Sequence, residues 1–416
     1  YLISGDALFL SEKIAMIKPP SRSGQKSALG KLSRDKTKIT EFNNYPENLE
    51  VTVDYVYDNA SPSVYASALT DSRYISVSYR HALLQMPEES GFTPRKDDAR
   101  IGFFLTKVND MTSPNSTPWN DMIHRWRLEK KNPEAELSEP VKPITWWIEN
   151  TTPYEFRDYI KTGVEKWNLA FEKIGFKNAI VVQIQPDDAD WDAGDIRYNV
   201  LRWTSSPTTP FSGYGPSFVN PRTGEILGAD VMLEYAGMAR RLWKSEVFET
   251  AGMHLSSRQQ TAEMINRCNA GDAMVGNTLF SLAAMQVLSF DDGEHDEFIR
   301  QTLHRLSLHE VGHTLGLSHN MHASTMLTVD ELKDPEVVAV NGMCNSVMEY
   351  PAINFALNPE DQTLYYDDSP GPYDYWVIEY GYSVGLDDEE AEDERLEAIL
   401  SKSTSPLLQF GNDADD

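Results

Sequence analysis

The sequence is poor in cysteine and has no long apolar segment. Its 416 residues contain two cysteines, Cys268 and Cys344, which excludes a small scaffold held together by several disulfides. One disulfide between them and two buried free thiols both fit the sequence. The longest mostly apolar run, NTLFSLAAMQVLSF, is too short and too polar to cross a bilayer. We therefore expect no membrane span, and we interpret this run as a buried helix.

Positive charge is also scarce. The chain has 37 Lys and Arg against 64 Asp and Glu, which gives a formal net charge of −27 at pH 7. A surface of this sign repels nucleic acid and anionic membranes, so we expect neither as a partner. A signal peptide is not visible either. The chain opens with YLISGD, without Met, and we interpret this as a processed or trimmed end.

What is present is the composition of a globular protein, with 40% hydrophobic and 11% aromatic residues. Segments such as ENLEVTVDYVYD and SRYISVSYRHALLQM alternate in polarity or are β-branched and aromatic, which is typical of strands. We predict a β-rich N-terminal domain over residues 1–126. Residues 127–143 are charged and contain several prolines, so we predict a linker or strap there.

Residues 144–416 predict an α+β domain. It begins with a strand, ITWWIEN, and apolar residues at three- and four-residue steps then predict a helix from Pro153 to Ile174. Strands AIVVQI and IRYNVLRWT follow, and SFVNPRTGEILGADVML has the pattern of a hairpin. We predict a helical insertion at about residues 235–290 and a further helix that begins near Gly293.

That last helix carries the segment SLHEVGHTLGLSHN. On a helix, His309 and His313 lie one turn apart on the same face, so both side chains can reach one metal ion. Glu310 is next to the first histidine and is placed to act as a general base without binding the metal. Gly316 allows the chain to leave the helix with a positive φ, and the turn returns His319 as a third nitrogen ligand.

Three protein ligands leave one coordination position open, which distinguishes a catalytic zinc from a structural one. A histidine-rich helix end is the competing interpretation, and the complete spacing disfavours it. A second metal candidate is the aspartate-rich segment DDADWDAGD at residues 187–195. It lacks the glycine and glutamate positions of an EF-hand, so we favour a solvated turn and keep calcium as the lesser alternative.

The pattern from His309 to His319 resembles the extended motif of the metzincin clan of zinc endopeptidases. In that clan a methionine-containing turn, the Met-turn, lies beneath the zinc, and NSVMEYP supplies it here with Met348. The form of this turn is similar to that of astacins and serralysins, in which a tyrosine serves as an additional, displaceable ligand. The resemblance therefore implies a catalytic role for Tyr350. A tyrosine that merely packs beside the turn is the alternative.

Several segments, among them GPYDYWVIEYGY, look like the Met-zincin domain of large bacterial zinc-dependent metalloproteases, in which an uncharacterised domain precedes the protease. The resemblance implies a metzincin-like catalytic domain, with a mixed twisted sheet, a long zinc-binding helix and a Met-turn, after a β-rich accessory domain. It implies a secreted, periplasmic or cell-envelope location and further chain beyond residue 416. We favour an accessory role for residues 1–126 over that of an inhibitory propeptide.

In metzincins, a strand antiparallel to the substrate forms the upper rim of the cleft. By resemblance we assign this role to ILGADVML, with Gly228, Ala229 and Asp230 contacting the substrate; an ordinary edge strand is the alternative. The function we predict is zinc-dependent hydrolysis of peptide bonds in a protein or peptide substrate. The alternatives are a zinc amidase or esterase that does not cleave proteins, and a catalytically silent binding protein with the same fold.

Overall fold

The structure, a computed structural model, divides the chain into two compact units. The first unit comprises residues 1–89 with 194–197, and the second comprises residues 90–193 with 198–416. Within these bounds the structure describes residues 4–18, 29–62, 69–88, 91–114, 116, 118–204, 213–234, 281, 284, 285, 292–356 and 358–412. In this part of the chain, no helix is both long enough and apolar enough to cross a membrane.

The first unit is built around one antiparallel sheet. Its central strand β3 pairs with each of its three neighbours, and the bounds are β1 (Lys31–Leu32), β2 (Lys38–Asn44), β3 (Asn48–Asp58) and β4 (Tyr74–Leu84). Alternate residues of β3 are buried, namely Val51, Val53, Tyr55 and Tyr57, as a strand with one covered face requires. Phe9 of the short helix α1 (Gly5–Phe9) packs on that face.

The second unit contains a five-stranded sheet in the order β10-β13-β9-β7-β8. All of its neighbouring strands are parallel except β10, which is antiparallel to β13. The strands are β7 (Ile144–Ile148), β8 (Ile180–Ile184), β9 (Asn199–Thr204), β10 (Gly213–Tyr214) and β13 (Val231–Glu234). Two small ladders accompany the sheet: β5 (Leu105–Thr106) with β6 (Met122–Ile123), and β11 (Ser217–Val219) with β12 (Ile226–Ala229).

Helices of the second unit form one core with this sheet, except the short helix at Pro335–Asn341, whose Val338 belongs to a smaller cluster with Ala323 and Met343. In chain order they are α2 (Tyr154–Glu165), α3 (Asn168–Lys173), α4 (Asp292–Thr314), α5 (Pro335–Asn341), α6 (Pro372–Tyr382) and α7 (Glu389–Leu400). Short 3-10 turns cover 323–325, 331–333, 359–361, 401–404 and 406–408. The single helix predicted over 153–174 is instead α2 and α3, and the indole Nε1 of Trp167, between them, donates a 2.8 Å hydrogen bond to the carbonyl oxygen of Leu308. The helix predicted to begin near Gly293 is α4.

The α+β prediction, with a β-rich region before the helical one, is confirmed. The compact units do not follow the predicted boundary at residue 126, because residues 90–126 belong to the second unit and residues 194–197 to the first. Residues 127–143 also lie in that unit, where Lys130 pairs with Pro140 and Ser138 with Phe176 through isolated β-bridges. The predicted insertion at 235–290 lies outside the described residues apart from 281, 284 and 285.

Candidate metal centre

Helix α4 and the turn after it bring three histidines together. His309 and His313 lie in the last two turns of the helix, and Gly316 follows it with φ 93°. A Cβ atom on Gly316 would lie 1.9 Å from the carbonyl oxygen of His124, so both the backbone angle and the space require glycine here. The turn places His319 beside the two helix histidines. Potential ligand atoms of these three histidines all lie within 4.8 Å of one another.

Hydrogen bonds to the backbone fix two of the rings. His309 Nδ1 lies 2.7 Å from the carbonyl oxygen of Val347, and His313 Nδ1 lies 2.9 Å from that of Leu317. A carbonyl oxygen can only accept, so each Nδ1 carries the proton and donates it. This tautomer leaves Nε2 as the ligand atom, which is how protein partners usually orient a metal-binding histidine.

The surroundings of His309 favour its neutral form. All three histidines are buried. Burial, followed by the nearby groups of His313, Arg305 and His319, holds the pKa of His309 well below its usual value. A neutral imidazole is the form that binds a metal ion. Three histidine nitrogen donors in a buried cluster fit zinc, with a further position left for water or substrate.

Two other predicted residues lie in the same region. The hydroxyl oxygen of Tyr350 is 2.6 Å from Nε2 of His319, and the two rings are 4.6 Å apart between centroids. Glu310 is completely buried in α4, directly after the first histidine. The structure thus brings Tyr350 to the edge of the histidine cluster and encloses the Glu310 carboxylate in the interior.

Met348 is also completely buried, directly against α4. A Cβ atom added to Gly312 would lie 2.3 Å from the Met348 sulfur and 2.8 Å from the ring of Trp167. The helix can therefore approach the Met-turn this closely only because Gly312 has no side chain. Gly312 was not among the predicted residues, although a glycine between two helix histidines is a sequence signal of close packing.

A buried carboxylate in helix α6 anchors the Met-turn. Asp374 accepts hydrogen bonds from the Ser346 hydroxyl at 2.6 Å and from the backbone N–H groups of Val347 and Gly371 at 2.8 Å each. Burial raises the pKa of this carboxyl to about 6, against the opposing effect of these hydrogen bonds. Because the carbonyl of Val347 holds the His309 ring, Asp374 is connected to the histidine cluster through one residue.

Glu349 makes a similar connection on the other side of the turn. Its carboxylate accepts from the backbone N–H groups of Ala323 at 2.9 Å and Ser324 at 3.3 Å, and its backbone carbonyl accepts from Arg305 of α4 at 3.1 Å. Sequence reasoning missed both Asp374 and Glu349. The sequence does carry a signal for Asp374, which lies in the apolar run PYDYW. A carboxylate in such a run requires hydrogen-bond partners when it is buried.

Several residues of the predicted substrate strand already have hydrogen-bond or strand-pairing partners. Ala229 pairs with Ser217 in the hairpin, and its N–H donates to Oδ1 of Asn199 at 3.1 Å. The N–H of Asp230 donates to the carbonyl oxygen of Pro216, and its carboxylate accepts from Val200. Gly228 is buried and pairs with Phe218. These bonds use the N–H groups of Ala229 and Asp230, and the contact of this strand with a substrate stays a prediction.

Strand β10 is the outermost described strand at this end of the sheet, and it lies near α4. A Cβ atom on Gly215, the residue after β10, would lie 2.7 Å from the carbonyl oxygen of Glu310. Among the described residues, residues 213–215 therefore lie beside the histidine-bearing helix at the end of the five-stranded sheet. The run ILGADVML is two strands and not one, because ILGA and VMLE belong to different sheets, separated at Asp230.

The other candidates from the sequence are the aspartate-rich segment and the two cysteines. Among the described residues, the histidine cluster is the one group of His, Cys, Asp and Glu side chains arranged to hold a metal ion, and residues 187–195 do not form another. Cys344 is a buried free thiol, whose pKa is raised by burial and by Asp367, and Cys268 lies outside the described residues. A cleft of about 1230 Å³, lined by parts of 91–98, 125–130 and 380–400, contains none of the three histidines.

Comparisons with known proteins agree with this centre. Residues 291–416 match the family described as Met-zincin, which includes all three histidines and the Met-turn. Residues 1–131 match a domain of unknown function, DUF5117. The resemblance to a metzincin preceded by an uncharacterised domain is thereby confirmed. No curated protein and no solved structure matches the chain. Together, the family match and the histidine cluster indicate a zinc metallopeptidase.

Proposed function

We propose that the protein is a zinc-dependent endopeptidase in which His309, His313 and His319 bind the metal and Glu310 is the general base. The observation that carries this proposal is the cluster of three buried histidines, two of them with Nδ1 bonded to a backbone carbonyl so that Nε2 is the ligand atom. The Met-zincin match over the same residues supports it.

The residues have separate roles in hydrolysis. Zinc, when bound, supplies Lewis acidity that lowers the pKa of a water molecule and polarises the carbonyl of the scissile amide. Glu310 removes a proton from the attacking water and delivers it to the leaving amine as the C–N bond breaks. The Tyr350 hydroxyl, now 2.6 Å from His319, would donate a hydrogen bond to the negative charge that develops on the substrate oxygen. Met348 forms an apolar base beneath the ligands.

Other parts of the chain have supporting roles in this proposal. The first unit is an accessory domain with its own apolar core, and the location is secreted, periplasmic or in the cell envelope. At residues 187–195 a solvated turn remains the favoured interpretation, with calcium as the lesser alternative. A peptide substrate would pair most directly with the outer strand β10, which lies beside the zinc-binding helix.

A digest of casein and of a peptide library, with the cleaved bonds mapped by mass spectrometry, tests the reaction. We expect internal peptide bonds to be cleaved, with loss of cleavage on chelation and recovery with added zinc. Hydrolysis limited to small amides or esters would favour the amidase alternative. Stoichiometric zinc without any hydrolysis would favour the silent binding protein. Metal analysis of His313→Ala tests the ligand set separately, and about one zinc still bound in that variant would contradict it.

A further inference from the structure

The segment before β5 contributes a residue to the immediate surroundings of the histidine cluster. Phe103 pairs with Leu317 through a β-bridge, and the N–H of Phe104 donates to the carbonyl oxygen of Gly316 at 2.7 Å. On its other side, the carbonyl oxygen of Phe104 accepts from the N–H of His124 at 2.8 Å. The backbone of Phe104 is therefore fixed to the same turn that returns His319 to the cluster.

The two adjacent phenylalanines differ in their surroundings. Phe103 is buried, packs closely against Gly381 of helix α6 and is part of the apolar core. Phe104 is 43% exposed, although its ring centroid lies 5.5 Å from that of His313. A large apolar ring that is held beside a buried histidine ligand and still faces solvent has apolar surface left to cover. Covering that surface would be favourable, because removing apolar area from water drives association.

We propose that Phe104 forms the wall of a substrate subsite that accepts an apolar or aromatic side chain next to the metal centre. This inference rests on the proposed peptidase function and narrows its substrate class. Charged side chains would be disfavoured at that subsite, since they would lose solvation against the ring without gaining a partner. The subsite would hold the substrate side chain in edge or offset contact with the ring, which is the preferred geometry of aromatic pairs.

The position of Phe104 gives part of the DUF5117 region a role in specificity. Residues 1–131 match that domain of unknown function, whereas the zinc motif and the Met-turn lie in the Met-zincin match. The wall therefore comes from a segment outside the motif that carries the chemistry. Substitutions at this position would change which peptides are cleaved without altering the ligands or the general base.

The test compares Phe104→Ala and Phe104→Leu with the full-length wild-type chain. A position-scanned peptide library should show, for the wild type, one position near the cleaved bond that prefers Leu, Met or Phe. For Phe104→Ala we expect kcat/KM to fall about ten-fold for peptides with Leu at that position and to stay unchanged for those with Ser, since an apolar pocket contact has roughly this effect on discrimination. Phe104→Leu should retain most of the preference.

Trp119→Ala is the matched control, because Trp119 is another exposed aromatic residue of the second unit, at 60% exposure, and pairs with Asn109 away from the histidines. It should keep the wild-type preference, and all the variants should keep their zinc. An unchanged preference in Phe104→Ala would overturn the proposal, as would an equal loss for the Leu and Ser peptides.

A binding measurement separates this inference from the proposed function. The affinities of N-acetyl-leucine hydroxamate and N-acetyl-glycine hydroxamate for the zinc-loaded protein can be measured by calorimetry, which needs no hydrolysis. We expect the ratio of the two affinities to fall about ten-fold in Phe104→Ala, a loss of about 1.4 kcal/mol. A fall in this ratio without any peptide cleavage by the wild type would support the subsite and contradict the peptidase. An equal ratio in both proteins would overturn the subsite.

Discussion

The sheet of the first unit and the Met-turn of the second are both buried, but different interactions hold them. Val51, Val53 and Tyr57 fill the covered face of β3, and packing is the main interaction there. The Met-turn instead depends on buried carboxylates, Asp374 and Glu349, which accept hydrogen bonds from backbone N–H groups on either side. The first arrangement stabilises a fold, whereas the second sets the position of a few atoms.

This difference follows from what each region has to do. An apolar core tolerates small shifts, because its interactions have little direction and depend mainly on area. Hydrogen bonds to a buried carboxylate are directional, and losing the carboxylate leaves all of its donors unsatisfied. The network around Asp374 therefore fixes the position of the Val347 carbonyl and, through it, of the His309 ring, at some cost in stability. Substitutions in the apolar core should therefore lower stability alone, whereas substitutions in the Met-turn should also lower zinc affinity.

The largest expected effect is a fall in kcat without a change in zinc content or stability. Glu310→Gln removes the general base but keeps the size and shape of the side chain, so kcat should fall by about two to four orders of magnitude. Zinc content and the melting temperature should stay close to those of the wild type. Glu297→Gln, on the same helix and paired with Arg300, is the control and should retain activity. Near-normal turnover by Glu310→Gln would exclude its role as the base.

Removing the anchor of the Met-turn should affect stability and metal binding together. Asp374→Ala leaves the Ser346 hydroxyl and two backbone N–H groups without their acceptor, so the free energy of unfolding should fall by roughly 3 kcal/mol. Zinc affinity should fall about 10- to 100-fold, as when a residue that orients a ligand is lost. Ser346→Ala, which removes one donor, should have a smaller effect. Wild-type zinc affinity in Asp374→Ala would refute the link to His309.

The pH dependence of unfolding is a second test of the Asp374 carboxyl. Burial raises its pKa from 3.8 to about 6 in the folded protein, so between these values the folded chain binds the proton more strongly than the unfolded chain. Its contribution to stability therefore decreases as the pH rises from about 4 to 6, by roughly 3 kcal/mol, and is constant above that window. The measurement is denaturant unfolding of metal-free wild type and Asp374→Asn. A difference between the two that does not change with pH would contradict the prediction.

A substitution in the core of the first unit should lower stability without changing zinc binding. Val53→Ala removes two buried methyl groups from β3 and should lower the free energy of unfolding by about 2 kcal/mol. We expect zinc content and cleavage of small peptides to stay unchanged. Ser76→Ala, at an exposed position of the neighbouring strand β4, serves as the control for stability. Loss of zinc in Val53→Ala would show that the contrast between the two regions is too simple.

The parts of this protein that follow a local pattern were predictable from the sequence. Strands β3 and β4 follow from alternation, helix α4 covers the segment predicted as a helix from near Gly293, and the three histidines meet as their spacing requires. In each case the signal lies within a few residues of the chain. The motif also identified Met348 through the family resemblance, and the structure places it beneath the zinc-binding helix against Gly312.

The rest depends on contacts that are distant in sequence. Asp374 and Val347 are far apart in the chain, and nothing local shows that one accepts a hydrogen bond from the other. Phe104 gives no local sign that it will lie beside His313. The run ILGADVML looked like a single strand because the alternation continues through Asp230, but that carboxylate bonds to Val200 and the chain changes sheets there.

The pairing of residues 102–104 with 316–318 has a consequence for how such chains can evolve. Ser318 donates to the carbonyl oxygen of Gly102, and the indole of Trp126 donates to that of Thr314 at the end of the zinc-binding helix. These partners come from regions that match two different families. Exchange of either region between distant relatives would separate bonded partners at the turn that carries His319. We therefore expect residues 91–131 and the zinc motif to be inherited as one piece.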